Sequence, residues 1–340
     1  MDLLFLDFLG KPAWAWVFFL TIVLALLVFD LGVLHRKSHE IGVRESLLLS
    51  AFYIGVGLLF SVWIWQHMRE RAALLYLTGF VVEKSLALDN IFVIAMIFGY
   101  FGVPRAYQHR VLVYGILGVI LLRGVMIGVG AAVVERFEWV LLLFAAFLII
   151  TGIRMLRDGG GEYDVAKNPV LRFMRSRFRV TDDLHGDRFF VRLPQETTGQ
   201  MALFVTPLFL ALVMVELADV IFAVDSIPAI FAITTDPYIV YTSNIFAILG
   251  LRALYFALAA MMHRFVYLKT AVSLVLIFIG AKVIGAEVMG IEKVPAEISL
   301  GITALLLGGG MALSLWRTRA PVVDPVPAPL PPTAPMASSE

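Results

Sequence analysis

Five carboxylates stand inside apolar stretches of this chain: Glu83 and Asp89 in one, and Glu216, Asp219 and Asp225 in another. A charged side chain near the centre of a bilayer costs at least about 2.5–3.5 kcal/mol, so such residues belong in a protein interior or a watered cavity, away from lipid. Three bases share the setting, Lys84, Arg123 and Arg252, and read as fixed counter-ions. Five acids against three bases leave two negative charges, which one divalent cation or two protons would balance. Nearby donors are oxygen atoms: Asn90, Ser85 and Ser226 offer amide and hydroxyl groups, and Pro228, having no N–H, leaves the carbonyl of Val224 without its helical donor. A hard, all-oxygen set of this kind suits Mn2+, Ca2+ or Mg2+. The metal candidates are therefore Glu83, Asp89, Asn90, Glu216, Asp219, Asp225 and Ser226, with Asp30, Ser85 and Asn244 as candidates along an ion pathway. The bland alternative is that the charges only pair with one another, but buried pairs stabilise weakly and are a costly way to hold helices together.

The elements that must carry these residues are membrane helices. The 340 residues are 60% hydrophobic and 16% charged, with a mean hydropathy of +0.90, which points to an all-α polytopic membrane protein. Cysteine is absent and the six histidines fall at segment ends or in loops, so thiol chemistry and a His-rich transition-metal site are set aside. A formal charge of +1 spread between apolar segments gives no nucleic-acid footprint. Nine spans are predicted, at about 14–34, 46–66, 72–100, 109–130, 137–155, 201–231, 238–262, 266–286 and 297–316. The first lacks the basic n-region and the cleavage site of a secretory signal. Lys and Arg gather in the loops after odd-numbered spans, which predicts an outside N-terminus and a cytoplasmic C-terminus. Residues 1–156 form the first membrane half, 157–200 a solvated, partly ordered cytoplasmic loop, 201–319 the second half and 320–340 a Pro-rich disordered tail.

Spacing adds a geometric expectation. Glu216 and Asp219 share one helix face, whereas Asp225 lies nearly opposite Asp219, and Glu83 and Asp89 likewise diverge. Convergence predicts breaks in the third and sixth spans, near Asp89 and near 225–228.

An internal repeat links the halves. Asp89-Asn-Ile-Phe-Val-Ile matches Asp219-Val-Ile-Phe-Ala-Val. An in-span arginine follows 34 residues on in the first copy (123 − 89) and 33 in the second (252 − 219), and a glycine follows each arginine at 29 (152 − 123) and 28 (280 − 252). The copies, about 72–156 and 201–286, begin on spans of opposite direction, which predicts two inverted three-helix repeats with the site at their interface.

The polar core 83–90 and the stretch 206–254, with Glu-Leu-Ala-Asp-Val-Ile-Phe-Ala-Val-Asp-Ser-Ile-Pro-Ala-Ile and Thr-Ser-Asn-Ile-Phe-Ala-Ile-Leu-Gly-Leu-Arg, closely resemble the TerC/Alx family of integral membrane proteins. The resemblance covers nearly all of 14–316. It implies a tellurium-resistance-type protein of the bacterial inner membrane whose role is metal-ion homeostasis, chiefly manganese export, within the LysE-like transporter group. The family's acids carry over onto Glu83, Asp89, Glu216, Asp219 and Asp225. An acid-rich core is a poor site for the tellurite oxyanion, so a resistance phenotype would be indirect. The expectation is a non-enzymatic transporter that takes a divalent cation as cargo, with protons as the counter-substrate, the bilayer as its setting and no cofactor. An intramembrane aspartyl protease is disfavoured because Gly-x-Gly-Asp is missing. A scaffold for assembling other membrane proteins is the second reading, and it would need none of the five acids.

Overall fold

Backbone N–H and C=O groups in lipid must be satisfied within their own segment, so long apolar runs in a single chain fold as helices. The computed structural model describes residues 7–32, 43–137, 139–157, 165–195, 200–258, 267–288 and 294–317, and within these the side chains of all but 7, 30–32, 43, 88, 89, 92, 225, 252, 257 and 258. The 318–340 tail lies outside the described residues. The first half contains α1 (Ala13–Gly32), α2 (Val43–Met68), α3 (Glu70–Tyr100), α4 (Arg105–Arg136) and α5 (Val140–Arg157). The second contains α7 (Pro207–Phe231), α8 (Pro237–Leu249), α9 (Leu251–Leu258), α10 (Leu268–Val288) and α11 (Ala296–Arg317), with the short α6 (Pro169–Arg177) between the halves. Among the described residues, α2, α4, α5, α7, α10 and α11 are long and apolar enough to cross a bilayer. The 31 residues of α3 reach about 46 Å at 1.5 Å per residue, also enough to cross, but they carry the Glu83-Lys84 pair and Asp89.

Three boundaries differ from the sequence reading. The span expected at 201–231 opens as a strand, β4 (Met201–Val205), and becomes helical only at Pro207. Proline fits the first turn of a helix but not its interior, so Pro207 fixes the start, and the preceding residues pair instead with β3 (Phe190–Pro194) in antiparallel register. The span expected at 238–262 divides at Gly250 into α8 and α9, since glycine is a poor helix residue. The third difference lies before the first span, where a hairpin of β1 (Asp7–Phe8) and β2 (Lys11–Pro12) forms that the sequence reading did not include. Its two-residue turn, Leu9-Gly10, has φ of 52° and 75°, both positive as a tight hairpin requires. Lys11 then reaches Asp236 at 2.9 Å, and Asp236 caps α8 by accepting from the backbone N–H of Tyr238 at 3.0 Å.

The polar connection between the halves is packed rather than merely solvated. Asn168 caps α6, with Pro169 in its first turn. Leu171 and Met174 of α6 and Val165 before it bury against Ile97, Phe98 and Leu208, where α3 ends and α7 begins.

Helix pairing places the site. α3 packs on α8 and α4 on α7, while α5 lies along α10. A Cβ at Gly152 would meet Ser273 O at 2.8 Å and Ile277 Cγ1 at 2.7 Å, and one at Gly280 would meet Ala145 O at 2.6 Å and Ile149 Cγ1 at 2.8 Å. Each glycine therefore meets the residues one and two turns before the other, and α5 and α10 cross antiparallel with their backbones in direct apposition.

Candidate cation site

Arg123 lies on the inner face of α4, 1% exposed, and its guanidinium is the hub of the buried polar residues. Nε and Nη2 donate to the two carboxylate oxygens of Asp219 on α7, each at 3.2 Å. Nη1 donates to Glu83 on α3, to Asn244 Oδ1 on α8 at 2.9 Å and, at 3.3 Å, to Ser226 Oγ on α7. The fork of the guanidinium suits the two-point grip on Asp219, which a lysine could not reproduce. Four helices are thus tied at one buried point.

The carboxylates are not fully satisfied. Among the described residues, Glu83 Oε2, both Glu216 oxygens and Asn244 Nδ2 are buried without a hydrogen-bond partner. Glu216 stands one turn before Asp219 on α7 and lies against α4, where a Cβ at Gly118 would be 2.5 Å from Oε2 and one at Gly115 3.4 Å from Oε1. Only a residue without a side chain lets the carboxylate sit there. Arg123 thus meets two carboxylates, Glu83 and Asp219, while Glu216 stands one turn before Asp219 with neither oxygen partnered among the described residues; by formal charge the three acids exceed Arg123 by two. The cost of an unpaired buried carboxylate makes an occupant that can neutralise it the natural complement.

Other residues named from the sequence fall elsewhere. Asn90 lines a small cavity of about 40 Å3 together with Asp219, Gly115, Ile248 and Tyr255. Lys84 does not join the carboxylates: its Nζ donates to the Ala247 carbonyl at 2.8 Å, near the end of α8, where a cation complements the helix C-terminus. Ser85 is bonded within its own helix, its Oγ donating to Val81 O at 2.8 Å. The side chains of Asp30, Asp89, Asp225 and Arg252 lie outside the described residues, although the backbone sets Asp225 beside Ser226.

One expectation is corrected. The helix breaks do not occur: α3 is one helix from Glu70 to Tyr100 and α7 one helix from Pro207 to Phe231. Pro228 lies in the last turn of α7, where one lost hydrogen bond does not interrupt the helix. Arg123 joins one acid from each helix, Glu83 of α3 and Asp219 of α7, which needs no break in either. Among the described residues, which leave out the side chains of Asp89 and Asp225, no three His, Asp or Glu side chains stand together.

Other features were not anticipated. Asn244 is a direct partner of Arg123 rather than a pathway residue. Gly115 and Gly118, one turn apart on α4, were visible as a small-residue face but carried no sign of the carboxylate they admit. A cavity of about 730 Å3 lies between the start of α3 and the ends of α7 and α10. Arg71, Thr78, Thr234, Lys282 and Ser299 are among its walls, and Lys282 Nζ donates to Ser299 Oγ at 3.3 Å. Thr78 is about 7.5 Å along α3 from Glu83.

Comparison with known proteins agrees with this architecture. The family model described as the integral membrane protein TerC family matches residues 68–321. An uncharacterized membrane protein of Rickettsia bellii is 46% identical over 310 residues, covering 91% of this chain and 99% of that protein. An uncharacterized membrane protein of Myxococcus xanthus is 42% identical over 316 residues, covering 93% and 96%. A protein of Photorhabdus laumondii named putative membrane-bound redox modulator Alx is 41% identical over 319 residues, covering 91% and 97%. No solved structure matches. The apolar helices, the buried acids of α3 and α7, and a family match across both halves lead to one conclusion: this chain belongs to the TerC family of integral membrane proteins.

Proposed function

We propose that the protein is a secondary transporter that exports a divalent metal cation, Mn2+ being the ion favoured by the family resemblance, in exchange for protons. The observation that carries this reading is the buried pair Glu83 and Asp219 on Arg123, with hydroxyl and amide oxygens from Ser226 and Asn244 beside it and the unpartnered Glu216 carboxylate one turn away on α7, two negative charges in excess of Arg123 by formal count. Oxygen donors of this kind favour a hard divalent cation, and Asp89, Asn90 and Asp225 are the further ligands proposed from the sequence. Two protons would balance the same charge after the metal leaves.

The proposed frame is nine spans with two inverted repeats, the N-terminus outside the inner membrane. Its support is the matched order of Asp89 and Asp219, Arg123 and Arg252, and Gly152 and Gly280, together with the reciprocal apposition of α5 and α10. In that orientation the large cavity opens outward and ends one to two turns above Glu83, and the small cavity lies on the cytoplasmic side of Asp219. The conformation is then outward-facing.

Several relatives, the Photorhabdus laumondii protein among them, are named for redox modulation. This chain has no cysteine, so a thiol–disulfide route is closed to it, while control of a metal pool is compatible with that name. The scaffold reading is separated from transport by Asp219→Asn in proteoliposomes. Transport requires Mn2+ flux in the parent, competition by other divalent ions and loss of flux in the variant. A parent that folds, inserts and moves none of Mn2+, Mg2+ or Ca2+ overturns it.

A further inference from the structure

We infer that Arg123 is a tethered stand-in for the transported cation, holding the oxygen cage closed until a divalent ion displaces its guanidinium onto Glu216. The inference rests on the transport reading and adds how the empty carrier keeps its site intact. Every hydrogen bond given to Arg123 goes to a residue suited to ligating a hard cation: two oxygens of Asp219, one each of Glu83, Ser226 and Asn244. Five oxygens from three helices around one positive centre approach the coordination that a divalent ion takes with six or more. Among the described residues no three acids or histidines stand together, so the cage is two carboxylates completed by hydroxyl and amide oxygens.

An ion entering the cage needs somewhere for the guanidinium to go. Side chains of a helix lean toward its N-terminus, which from Arg123 is the direction of Gly118 and Gly115. The Glu216 carboxylate lies there, buried against those two glycines with neither oxygen partnered among the described residues. Exchange would pair the divalent ion with Glu83 and Asp219 and pair Arg123 with Glu216, so that no charge in the group is left unmatched in the loaded state. In the empty state two charges are unmatched, one on Glu216 and one shared by Glu83 and Asp219 around Arg123.

The test is Mn2+ binding to the purified full-length protein, read by the electron paramagnetic resonance signal of free Mn2+, in the parent, Arg123→Met, Glu216→Gln and the double variant. Removal of the competing guanidinium should tighten Mn2+ binding more than about tenfold, the scale of one close buried charge interaction. Glu216→Gln should weaken binding in the parent but leave it unchanged in the Arg123→Met background, because the displaced guanidinium is then gone. Where Arg123→Met does not fold, Arg123→Lys keeps the charge without the fork and should bind Mn2+ more tightly than the parent. Unchanged or weaker binding in the Arg123 variants overturns the inference and leaves transport standing. Equal weakening by Glu216→Gln in both backgrounds makes Glu216 a ligand and overturns the exchange. Absence of Mn2+ binding in the parent and all variants overturns the transport reading itself.

Discussion

At the scale of the residue, the account turns on two carboxylates, Glu83 and Asp219, that hold one guanidinium and on a third, Glu216, left unpartnered one turn away. Asp219→Asn keeps the side-chain volume but removes one charge and one acceptor from the two-point grip of Arg123. We predict that it abolishes Mn2+ flux while expression and membrane insertion persist, as measured by flux and by gel filtration of the same preparation. Gly118→Ala tests the neighbouring carboxylate. In an exposed helix the change gains about 1 kcal/mol in propensity, yet here the added Cβ would lie 2.5 Å from Glu216 Oε2. The expected result is a lowered thermal midpoint that Glu216→Ala restores in the double variant; a raised midpoint in the single variant would show that Glu216 yields freely. The five acids were legible in the sequence because intramembrane charge stands out against apolar neighbours. Which of them meet was not, since contact depends on the reach of Arg123 across a helix interface. Lys84 shows the same limit: its charge was visible, but not the α8 carbonyl that it caps.

At the scale of the element, the α5–α10 crossing and the cap of α8 are the features most open to a direct test. At Gly280 an added Cβ would meet the Ala145 carbonyl oxygen at 2.6 Å, and at Gly152 the Ser273 carbonyl oxygen at 2.8 Å. Backbone cannot rotate aside as a side chain can, so the helices must separate. Gly152→Val and Gly280→Val should each destabilise by about 1–3 kcal/mol and by similar amounts, because each glycine meets the equivalent part of the other helix. Thermal unfolding in detergent checks this, and a large loss in one with none in the other would contradict the reciprocal geometry. Asp236→Ala removes the α8 cap and the partner of Lys11, and should lower stability by about 1 kcal/mol by the same measurement. These elements also show what periodicity conceals. Apolar runs marked the helices, but the run at 201–231 hid a strand because β4 is as apolar as a helix end, and only Pro207 marked the change. The expected kinks failed for a related reason. Arg123 needs only one acid from each helix, Glu83 of α3 and Asp219 of α7, and both reach it from unbroken helices.

At the scale of the whole molecule, the structure sets a large cavity and a small one on opposite sides of a buried, charge-deficient hub. That asymmetry is what one end state of alternating access requires, and the sequence repeat supplies the related halves that could exchange it for the opposite state. The charge count makes the coupling specific. Under the proposed function, a site with two negative charges in excess would take one divalent ion or two protons, so metal leaving in one direction and protons entering in the other would be two uses of the same carboxylates. The most direct measurement is simultaneous recording of Mn2+ and internal pH in proteoliposomes containing the parent protein. With an imposed proton gradient, Mn2+ should move against the direction of proton flow, with proton movement that requires Mn2+ on the opposite side, and both signals should vanish in Asp219→Asn. Mn2+ movement that ignores the gradient, or that continues unchanged in Asp219→Asn, would contradict the account.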